Sequence, residues 1–439
     1  MTAKISTDSK TSLDVKLLKY FLDKDQDPLL YLGEIARKIA SADQYYAPFR
    51  QQKEASFDRF YQLLSQNQFL PAADILRNSD NLNMLNHMAI KLRRDEETLF
   101  SQFKQISHLL KQGIHLALDL SELQNLNGKE FTHYLSIIQN LPQDLDDPTW
   151  MRLYIDVNHS HIEEFLDFAL SAPDYIHFAA GITDQFMQEL KHKHAKQEQS
   201  LTHTVFKQLA KLVLKQKRVD FLFSDKINCL RIKQGLSADY LINPLNQLAS
   251  EHELMASGIL NLATINTDDE TQLKEVLFTA IHFLDNCIEL NHYPNDQSMW
   301  QSKKMRRICL GFLGLEPHAQ SVVIKINELA IQCSQELSEL RGGYQQIRYE
   351  EHNHSTRHSQ LIGQCHQPLI SQIAGSPSYL FKREMNLKDF YALYPRHSAT
   401  QDVLTNIASF KHPTNNMPIE TIMQLFLTCY NQGLLTFEI

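Results

Sequence analysis

The feature that most constrains the fold is an alternation of short apolar runs with amphipathic stretches between residues 114 and 195. Each apolar run is short enough for a strand, and a segment with helical spacing follows it. The strand candidates are 114–120, 151–157 and 175–182, and the helices following them lie near 129–140, 161–170 and 184–193. Strands that alternate with helices favour parallel βα units over a sandwich or a helical bundle. The sequence therefore predicts an α/β fold.

Other segments extend this pattern on both sides. In the run 114–120 polar and apolar residues do not alternate regularly, and most of the residues are apolar. This is typical of a strand covered on both faces. We expect further strands at 81–92, 220–223, 306–314, 368–374 and 434–439, and further helices at 95–113, 205–217, 270–291, 319–340 and 417–432. The first 13 residues are polar and predict a disordered tail. Residues 14–80 predict a helical N-terminal subdomain, and residues 81–439 predict the α/β domain.

Composition excludes several classes of protein. The net charge is −8 and the chain has no concentrated basic tract, so nucleic acid is not an expected partner. No run approaches the roughly 18 apolar residues that cross a bilayer, and the polar first residues lack a signal core, so a cytoplasmic protein is expected. None of the 6 cysteines forms a CxxC pair, which argues against a zinc ribbon or a thioredoxin-type site.

The segment 240–267 (YLINPLNQLASEHELMASGILNLATINT) reads as two extended runs joined by a polar connector. Asn243-Pro244 favours a turn after the first run, and 259–265 is short and apolar enough to be a buried strand. This segment resembles the active-site segment of the ribonucleotide reductase large chain. In that family an Asn-Pro-Cys-Gly-Glu turn precedes a Cys-Asn-Leu-Gly-Ser-Ile-Asn strand. The Asn-Pro form of the turn looks closest to the adenosylcobalamin-dependent class.

Collinear stretches elsewhere resemble the same family. They are Tyr61–Leu76, Ile155–Phe165 (IDVNHSHIEEF), Gly181–Met187 (GITDQFM), Phe283–Pro294 (FLDNCIELNHYP), Arg306–Leu315 (RRICLGFLGL), Ile370–Gly375 (ISQIAG) and the last 30 residues. The resemblance covers about residues 60–439. It implies a ten-stranded α/β barrel, threaded by a finger loop whose tip carries a radical cysteine, and dimerisation through paired helices.

The resemblance also identifies the positions where the family does its chemistry. A thiyl radical, a neighbouring carboxylate base and a pair of reducing cysteines are required there. In this chain Leu245 occupies the radical position, Gln247 the carboxylate position, and Leu260 and His87 the two reducing positions, whereas Asn243 is kept. Leucine and histidine cannot supply thiols, and a glutamine amide cannot act as a base at neutral pH.

The family's phosphate-binding turn is also altered. The resemblance aligns Gln367, Pro368, Leu369, Ile370 and Ser371 with a Pro-Thr-Gly-Thr turn whose backbone N–H groups bind phosphate. Pro368 stands where the glycine is expected, and proline has no N–H to donate. We therefore expect this anion site to be lost, although Ser371 is kept.

The resulting prediction is a large-chain-like protein that lacks the radical and redox cysteines and acts as a nucleotide-binding, regulatory or partner protein. The family implies adenosylcobalamin or a partner radical chain as cofactor, and a second copy or a reductase chain as partner. No cofactor is predicted for this chain.

Two alternatives remain at the level of sequence. A repurposed enzyme could use a His/Cys site, with or without a metal, built from His87, His366 and Cys365, since imidazole and thiolate bind transition metals. Against this, histidines also fill space and hydrogen-bond locally. An active reductase with a displaced cysteine would use Cys365, which lies beside the altered phosphate turn.

Overall fold

The structure is a computed structural model. It describes residues 18, 21, 26–51, 53–94, 96–141, 149–191, 200–215, 219–233, 240–244, 248–314, 320–344, 356–363, 368–375, 407–409, 418–431 and 436–438. The predicted tail at residues 1–13 lies outside this description. Among the helices within these ranges, none is both long and apolar enough to cross a membrane.

The strands of the described chain are short. They are β1 (Phe69–Pro71), β2 (His87–Lys91), β3 (His115–Asp119), β4 (Met151–Asp156), β5 (Ile176–Ile182), β6 (Val219–Phe223), β7 (Leu241–Ile242), β8 (Leu248–Ala249), β9 (Ala256–Asn261), β10 (Ile308–Leu313), β11 (Ile407–Ser409) and β12 (Thr436–Glu438).

Helices separate most of these strands. They are α1 (Pro28–Ala40), α2 (Ala47–Arg50), α3 (Lys53–Ser65), α4 (Ala73–Asn78), α5 (Glu96–Lys111), α6 (Gly128–Asn140), α7 (Ile162–Ser171), α8 (Asp184–Lys191), α9 (Leu201–Leu214), α10 (Ser224–Lys233), α11 (Glu270–Leu290), α12 (Asp296–Met305), α13 (Gln320–Arg341), α14 (Pro368–Ile373) and α15 (Ile419–Asn431). The α/β class predicted from sequence is confirmed.

The chain forms two compact units, and each contains two separate pieces of sequence. The first unit comprises Met1–Leu85 and Leu254–Lys382, and the second comprises Asn86–Glu253 and Arg383–Ile439. Strands of the described residues form sheets of three, seven and two strands. Closure into ten strands therefore stays a prediction, as does the proposed boundary at residue 80.

The first unit is built on α11 and a three-stranded sheet. In that sheet β9 lies between β1, which is antiparallel to it, and β10, which is parallel. Asp285 of α11 is fully buried and binds the guanidinium groups of three arginines, Arg306 at 2.6 Å, Arg341 at 2.9 Å and Arg357 at 3.1 Å. These cations hold the pKa of Asp285 well below its usual value despite its burial.

The second unit is built on the seven-stranded sheet, in the order β11-β12-β6-β5-β4-β3-β2. Strands β2 to β6 are parallel, and β12 is antiparallel to β6. Side chains alternate between the two faces of a strand. The apolar face packs against helices: Phe165 of α7 contacts Phe178 at 5.7 Å between ring centroids, and Phe426 of α15 contacts Phe221 at 4.4 Å.

The other face of this sheet, here called the polar face, carries a different set of side chains. They are His87, Ala89 and Lys91 of β2, His115, Ala117 and Asp119 of β3, Arg152, Tyr154 and Asp156 of β4, His177, Ala179 and Gly181 of β5, and Asp220 and Leu222 of β6. The expectation that β3 is covered on both faces is confirmed, because Leu116 and Leu118 on one face and Ala117 and Asp119 on the other are all buried.

One predicted strand was also wrong. Residues 368–374 form the helix α14, not a strand. Proline fixes φ at a helical value and is favoured in the first turn of a helix. Ile370, Ile373 and Ala374 are buried, which is the spacing of one helical face. The carbonyl of Ala374 accepts a hydrogen bond from the Asn67 amide at 2.9 Å, which holds the end of the helix in the first unit.

Candidate functional site

A small hairpin lies against the polar face of the seven-stranded sheet. Its strands β7 and β8 pair antiparallel, with Leu241 opposite Ala249 and Ile242 opposite Leu248. Leu241 packs against Ala89 and Ala117 in one buried cluster. These two alanines of the sheet thus leave room for the hairpin, because larger residues would fill that space.

Ile242 makes a second buried cluster with Ala179, Leu222 and Ile227. The segment singled out from sequence is therefore a hairpin seated on the sheet, followed by β9. The predicted second strand is confirmed, although it spans Ala256–Asn261 rather than 259–265, and residues 262–264 form a short 3₁₀ turn.

At the amino ends of the parallel strands, four rings of the polar face contact one another in a chain. The centroid distances are 4.9 Å from His87 to His115, 5.3 Å from His115 to Trp150 and 4.7 Å from Trp150 to His177. The backbone N–H of Trp150 donates to Nδ1 of His115 at 3.2 Å, so that ring nitrogen is an acceptor. We call these four residues the ring cluster.

A buried ion pair lies beside the ring cluster. Arg152 Nη2 is 2.5 Å from Asp220 Oδ2, and the two side chains expose 7% and 1% of their surface. Arg152 Nη1 also donates to the carbonyl oxygen of Asn243 at 3.2 Å. The guanidinium group therefore joins β4, β6 and the hairpin, and positions the residue that precedes the hairpin turn.

At the carboxyl ends of the same strands the polar face carries carboxylates. Asp119 and Asp156 are both largely enclosed, and burial raises the pKa of each above its ordinary value. Gly181 of β5 is required here, because a Cβ at this position would lie 2.2 Å from Oη of Tyr154 and 3.0 Å from Oδ2 of Asp156. The tyrosine hydroxyl thus occupies the space that any side chain at position 181 would need.

The positions singled out by the family resemblance fall in different places. His87 belongs to the ring cluster and exposes 8% of its surface. Leu260 is fully buried in β9 of the first unit, between Phe69 of β1 and Phe312 of β10. Leu245 and Gln247 lie outside the described residues. Their predicted roles stay predictions.

The altered phosphate turn is described only in part. Cys365, His366 and Gln367 lie outside the described residues. Pro368 is the first residue of α14, with Leu369, Ile370 and Ser371 following in the same helix, and Ser371 exposes 1% of its surface. No three His, Cys, Asp or Glu side chains among the described residues are arranged to hold a metal ion. The metal site predicted from His87, Cys365 and His366 is not tested by this finding, since two of its members lie outside the description.

The sequence interpretation missed the residues that complete both ends of the polar face. Trp150, Arg152, Tyr154 and Asp220 were not singled out. The alternation of β4, in which Arg152, Tyr154 and Asp156 occupy every second position, was the available signal.

Comparison with known proteins agrees with this fold. Residues 255–340 match the family model of the ribonucleotide reductase barrel domain. Two vitamin B12-dependent ribonucleoside-diphosphate reductases from strains of Mycobacterium tuberculosis are 23% identical to the chain in an alignment of 427 positions that covers 82% of this chain. A ribonucleoside-diphosphate reductase subunit alpha from Chlamydia pneumoniae is 34% identical over 108 residues, which is 23% of this chain and 10% of that protein.

The chain spans 59% and 58% of the length of the two mycobacterial relatives. Among solved structures, the class Id ribonucleotide reductase alpha subunit of Actinobacillus ureae superposes with a TM-score of 0.72 at 15% identity. That match covers 98% of this chain and 96% of the other. The local family match, the sequence similarity over 82% of the chain and the shared fold agree, and they make this chain similar to ribonucleotide reductase large chains.

Proposed function

We propose that this chain is a non-catalytic member of its family, which binds a nucleotide and acts as a regulatory or partner protein on a ten-stranded barrel. The observation that carries the proposal is the environment of His87. At the position that the resemblance assigns to a reducing cysteine, an imidazole lies in ring contact with His115 and Trp150. Such a ring cannot be oxidised to a disulfide, so the electron supply of the family reaction is missing.

The described cysteines support the same conclusion. Those whose environment is described lie on helices or on β10, none on the seven-stranded sheet: Cys229, Cys287, Cys309, Cys333 and Cys429. Burial raises the pKa of Cys287 and Cys429 well above the ordinary thiol value, and that of Cys333 to about 12. The thiolate is the reactive form, so these three thiols are inert at neutral pH.

The direct test is an assay of ribonucleotide reduction with adenosylcobalamin and, separately, with a radical-generating partner chain. We expect no deoxyribonucleotide in either reaction. Turnover that disappears in Cys365→Ser would establish the displaced-cysteine alternative. Turnover that survives Cys365→Ser would contradict both interpretations.

Nucleotide binding has a separate test. A thermal-shift screen with nucleoside di- and triphosphates should raise the melting temperature, because a ligand of the folded state stabilises it. Gel filtration with and without the nucleotide should show whether a second copy associates. Absence of any shift with all nucleotides would refute the nucleotide-binding part of the proposal.

The ring cluster favours one second candidate, a repurposed site that uses its imidazoles. Three histidine rings within one contact chain are an unusual concentration of potential proton carriers and metal ligands. Elemental analysis of the purified protein and of His87→Ala tests the metal form of this idea. A stoichiometric metal lost in His87→Ala would favour it, and metal below trace level in the native protein would exclude it.

A further inference from the structure

The carboxyl ends of the parallel strands surround a cavity that the family resemblance does not explain. Its volume is about 370 Å³, which falls within the ordinary range of about 300–1,000 Å³ for small-molecule sites. Its floor is apolar, formed by Ala89 and Ala117 of the sheet together with Leu241 and Ile242 of the hairpin. In open α/β sheets this edge is where ligands commonly bind.

The walls of the cavity present carboxylates in a fixed orientation. In each of three aspartates, one oxygen accepts a backbone N–H: Asp119 from Ser121 at 2.9 Å, Asp156 from Asn158 at 2.9 Å and Asp225 from Asp184 at 2.7 Å. Within the described chain the second oxygen of each makes no hydrogen bond. Asp119 nevertheless exposes only 9% of its surface. None of these second oxygens is among the fully buried side-chain atoms without a partner in the described residues, so each is accessible to a hydroxyl group that donates from the cavity.

Among the described residues, neutral polar groups and one cation complete the walls. Hydroxyls come from residues on five different segments of the chain: Ser121, Tyr154, Thr183, Ser224 and Tyr240. The cation is Lys91, whose ammonium group lies 3.3 Å from Glu122. The cavity therefore offers both donors and acceptors, with two phenol rings and an apolar floor against which a ring could pack.

The charge of the lining residues and the spacing of their acidic groups disfavour two other kinds of ligand, anions and a single metal ion. Among the described lining residues, three aspartates face one lysine that already has an acidic partner, so this charge disfavours phosphate and other anions. A single metal ion is also disfavoured, because among the described residues no three acidic or imidazole side chains converge on one point. Separated acceptors suit a ligand that spreads several hydroxyl groups across the cavity.

We propose that this cavity binds a small, uncharged, polyhydroxylated ring, either a free sugar or the sugar of a nucleoside without phosphate. The open oxygens of Asp119 and Asp156 accept hydrogen bonds from ring hydroxyls, Lys91 donates to a ring oxygen, and the apolar face of the ring lies on Ala117 and Leu241. The raised pKa of Asp119 and Asp156 agrees with this, since hydroxyl donors would stabilise the ionised carboxylates.

The experiment is a thermal-shift and calorimetric comparison of five probes on the full chain, each at about 10 mM. The probes are ribose, adenosine, adenosine monophosphate, putrescine and Mg²⁺. We expect ribose or adenosine to bind, which distinguishes the two sources of the sugar ring, and we expect the monophosphate to bind at least tenfold more weakly than adenosine.

Variants of the residues that line the cavity show where the sugar binds. Asp156→Asn and Lys91→Met should each weaken sugar binding about tenfold, whereas Asp167→Asn on the exposed face of α7 should leave it unchanged. His87→Ala changes the residue on which the proposed function rests, at the other end of the polar face, and it should also leave sugar binding unchanged. The sugar-binding proposal and the proposed nucleotide function can therefore fail independently of each other. Using two cavity variants keeps the test decisive if one of them unfolds.

Several outcomes would overturn the proposal. They are the absence of binding by both ribose and adenosine, a response to putrescine or Mg²⁺ alone, and sugar binding that Asp156→Asn and Lys91→Met both leave intact.

Discussion

The two ends of the polar face are built on the same five parallel strands, yet their polar side chains have different partners. At the amino ends, His87, His115 and His177 pack with Trp150, and Arg152 is paired with Asp220. At the carboxyl ends, aspartates keep an open oxygen beside a cavity. Polar groups that satisfy one another stabilise a fold, whereas polar groups that lack partners mark a place for a ligand.

This difference bears on the proposal that the family chemistry is lost. The amino ends are where the resemblance assigns a reducing cysteine, and there the replacing side chain has become part of a packed cluster. The carboxyl ends retain an open site. The contrast suggests that one end now has a structural role and that the other carries the binding function, and the following variants test that division.

The largest effect is expected from breaking the ion pair of the amino ends. Arg152→Ala leaves the carboxylate of Asp220 buried at 1% exposure without its cation, so we expect unfolding free energy to fall by about 3–5 kcal/mol. Urea denaturation measures it. Arg93→Ala is the matched control, because its partner Glu251 lies in an exposed pair and the expected cost is below about 1 kcal/mol. Equal losses in both variants would contradict a structural role for the amino ends.

Removing the central ring of the cluster should have the next largest effect. Trp150→Ala loses contacts with all three histidines, and we expect a cost of about 3 kcal/mol. The other tryptophan of the chain provides the control, since Trp300 is 57% exposed and its replacement by alanine should cost less than about 0.5 kcal/mol. A small loss for Trp150→Ala would mean that the ring cluster is not a packed structural element.

A steric test applies to the carboxyl ends. Gly181→Ala places a methyl group 2.2 Å from the hydroxyl of Tyr154, and we expect a cost of about 2 kcal/mol from the forced shift. Tyr154→Phe removes that oxygen, so the double variant should recover most of the loss. A double-mutant cycle measures this coupling. Additive costs would show that Tyr154 does not occupy the predicted space.

The smallest effect is a pH dependence. Burial raises the folded-state pKa of Asp156, so the folded protein loses stability as pH rises from the ordinary aspartate pKa through the raised one. Asp156→Asn abolishes this loss. The variant should be more stable than the native protein by about 0.5 kcal/mol near pH 8 and indistinguishable near pH 4. A variant less stable than the native protein at both pH values would indicate that the carboxylate has a structural role.

Sequence periodicity predicted most of the second unit. The segments 151–157, 175–182 and 220–223 became β4, β5 and β6, because short extended runs that alternate with segments of helical spacing mark parallel βα units. Periodicity failed at 368–374, where seven residues are too few to separate a strand from a helix and the preference of proline for the first turn of a helix was not weighed.

Helix starts were predicted less well. Residues 160–163 (SHIE) have the sequence pattern of a capping box, but the hydroxyl of Ser160 donates to the carbonyl of Gln124 at 2.5 Å, and His161 precedes the first residue of α7. The capping box of this region belongs to α6, where Asn127 and Glu130 bond reciprocally. A local motif cannot reveal a partner that lies 36 residues away in sequence.

The candidate site was only partly accessible from sequence. Family resemblance identified His87 and the hairpin segment. It could not identify the cavity, because Asp119, Asp156 and Asp225 come from separate βα units, and only the register of the strands brings them to one edge. Their common signal was a charged residue at or just after the end of each strand.

The interleaving of the two units in sequence has a consequence for synthesis. The three-stranded sheet needs β1 near residue 70, β9 near 258 and β10 near 310, whereas the seven-stranded sheet is completed only by β12 near residue 437. Neither unit can therefore be completed before much of the other has emerged from the ribosome, and loops of this length slow the formation of non-local contacts. Nascent chains stalled at residue 253 would lack two strands of the first sheet, and they would expose the edge of β1 to other chains and to chaperones.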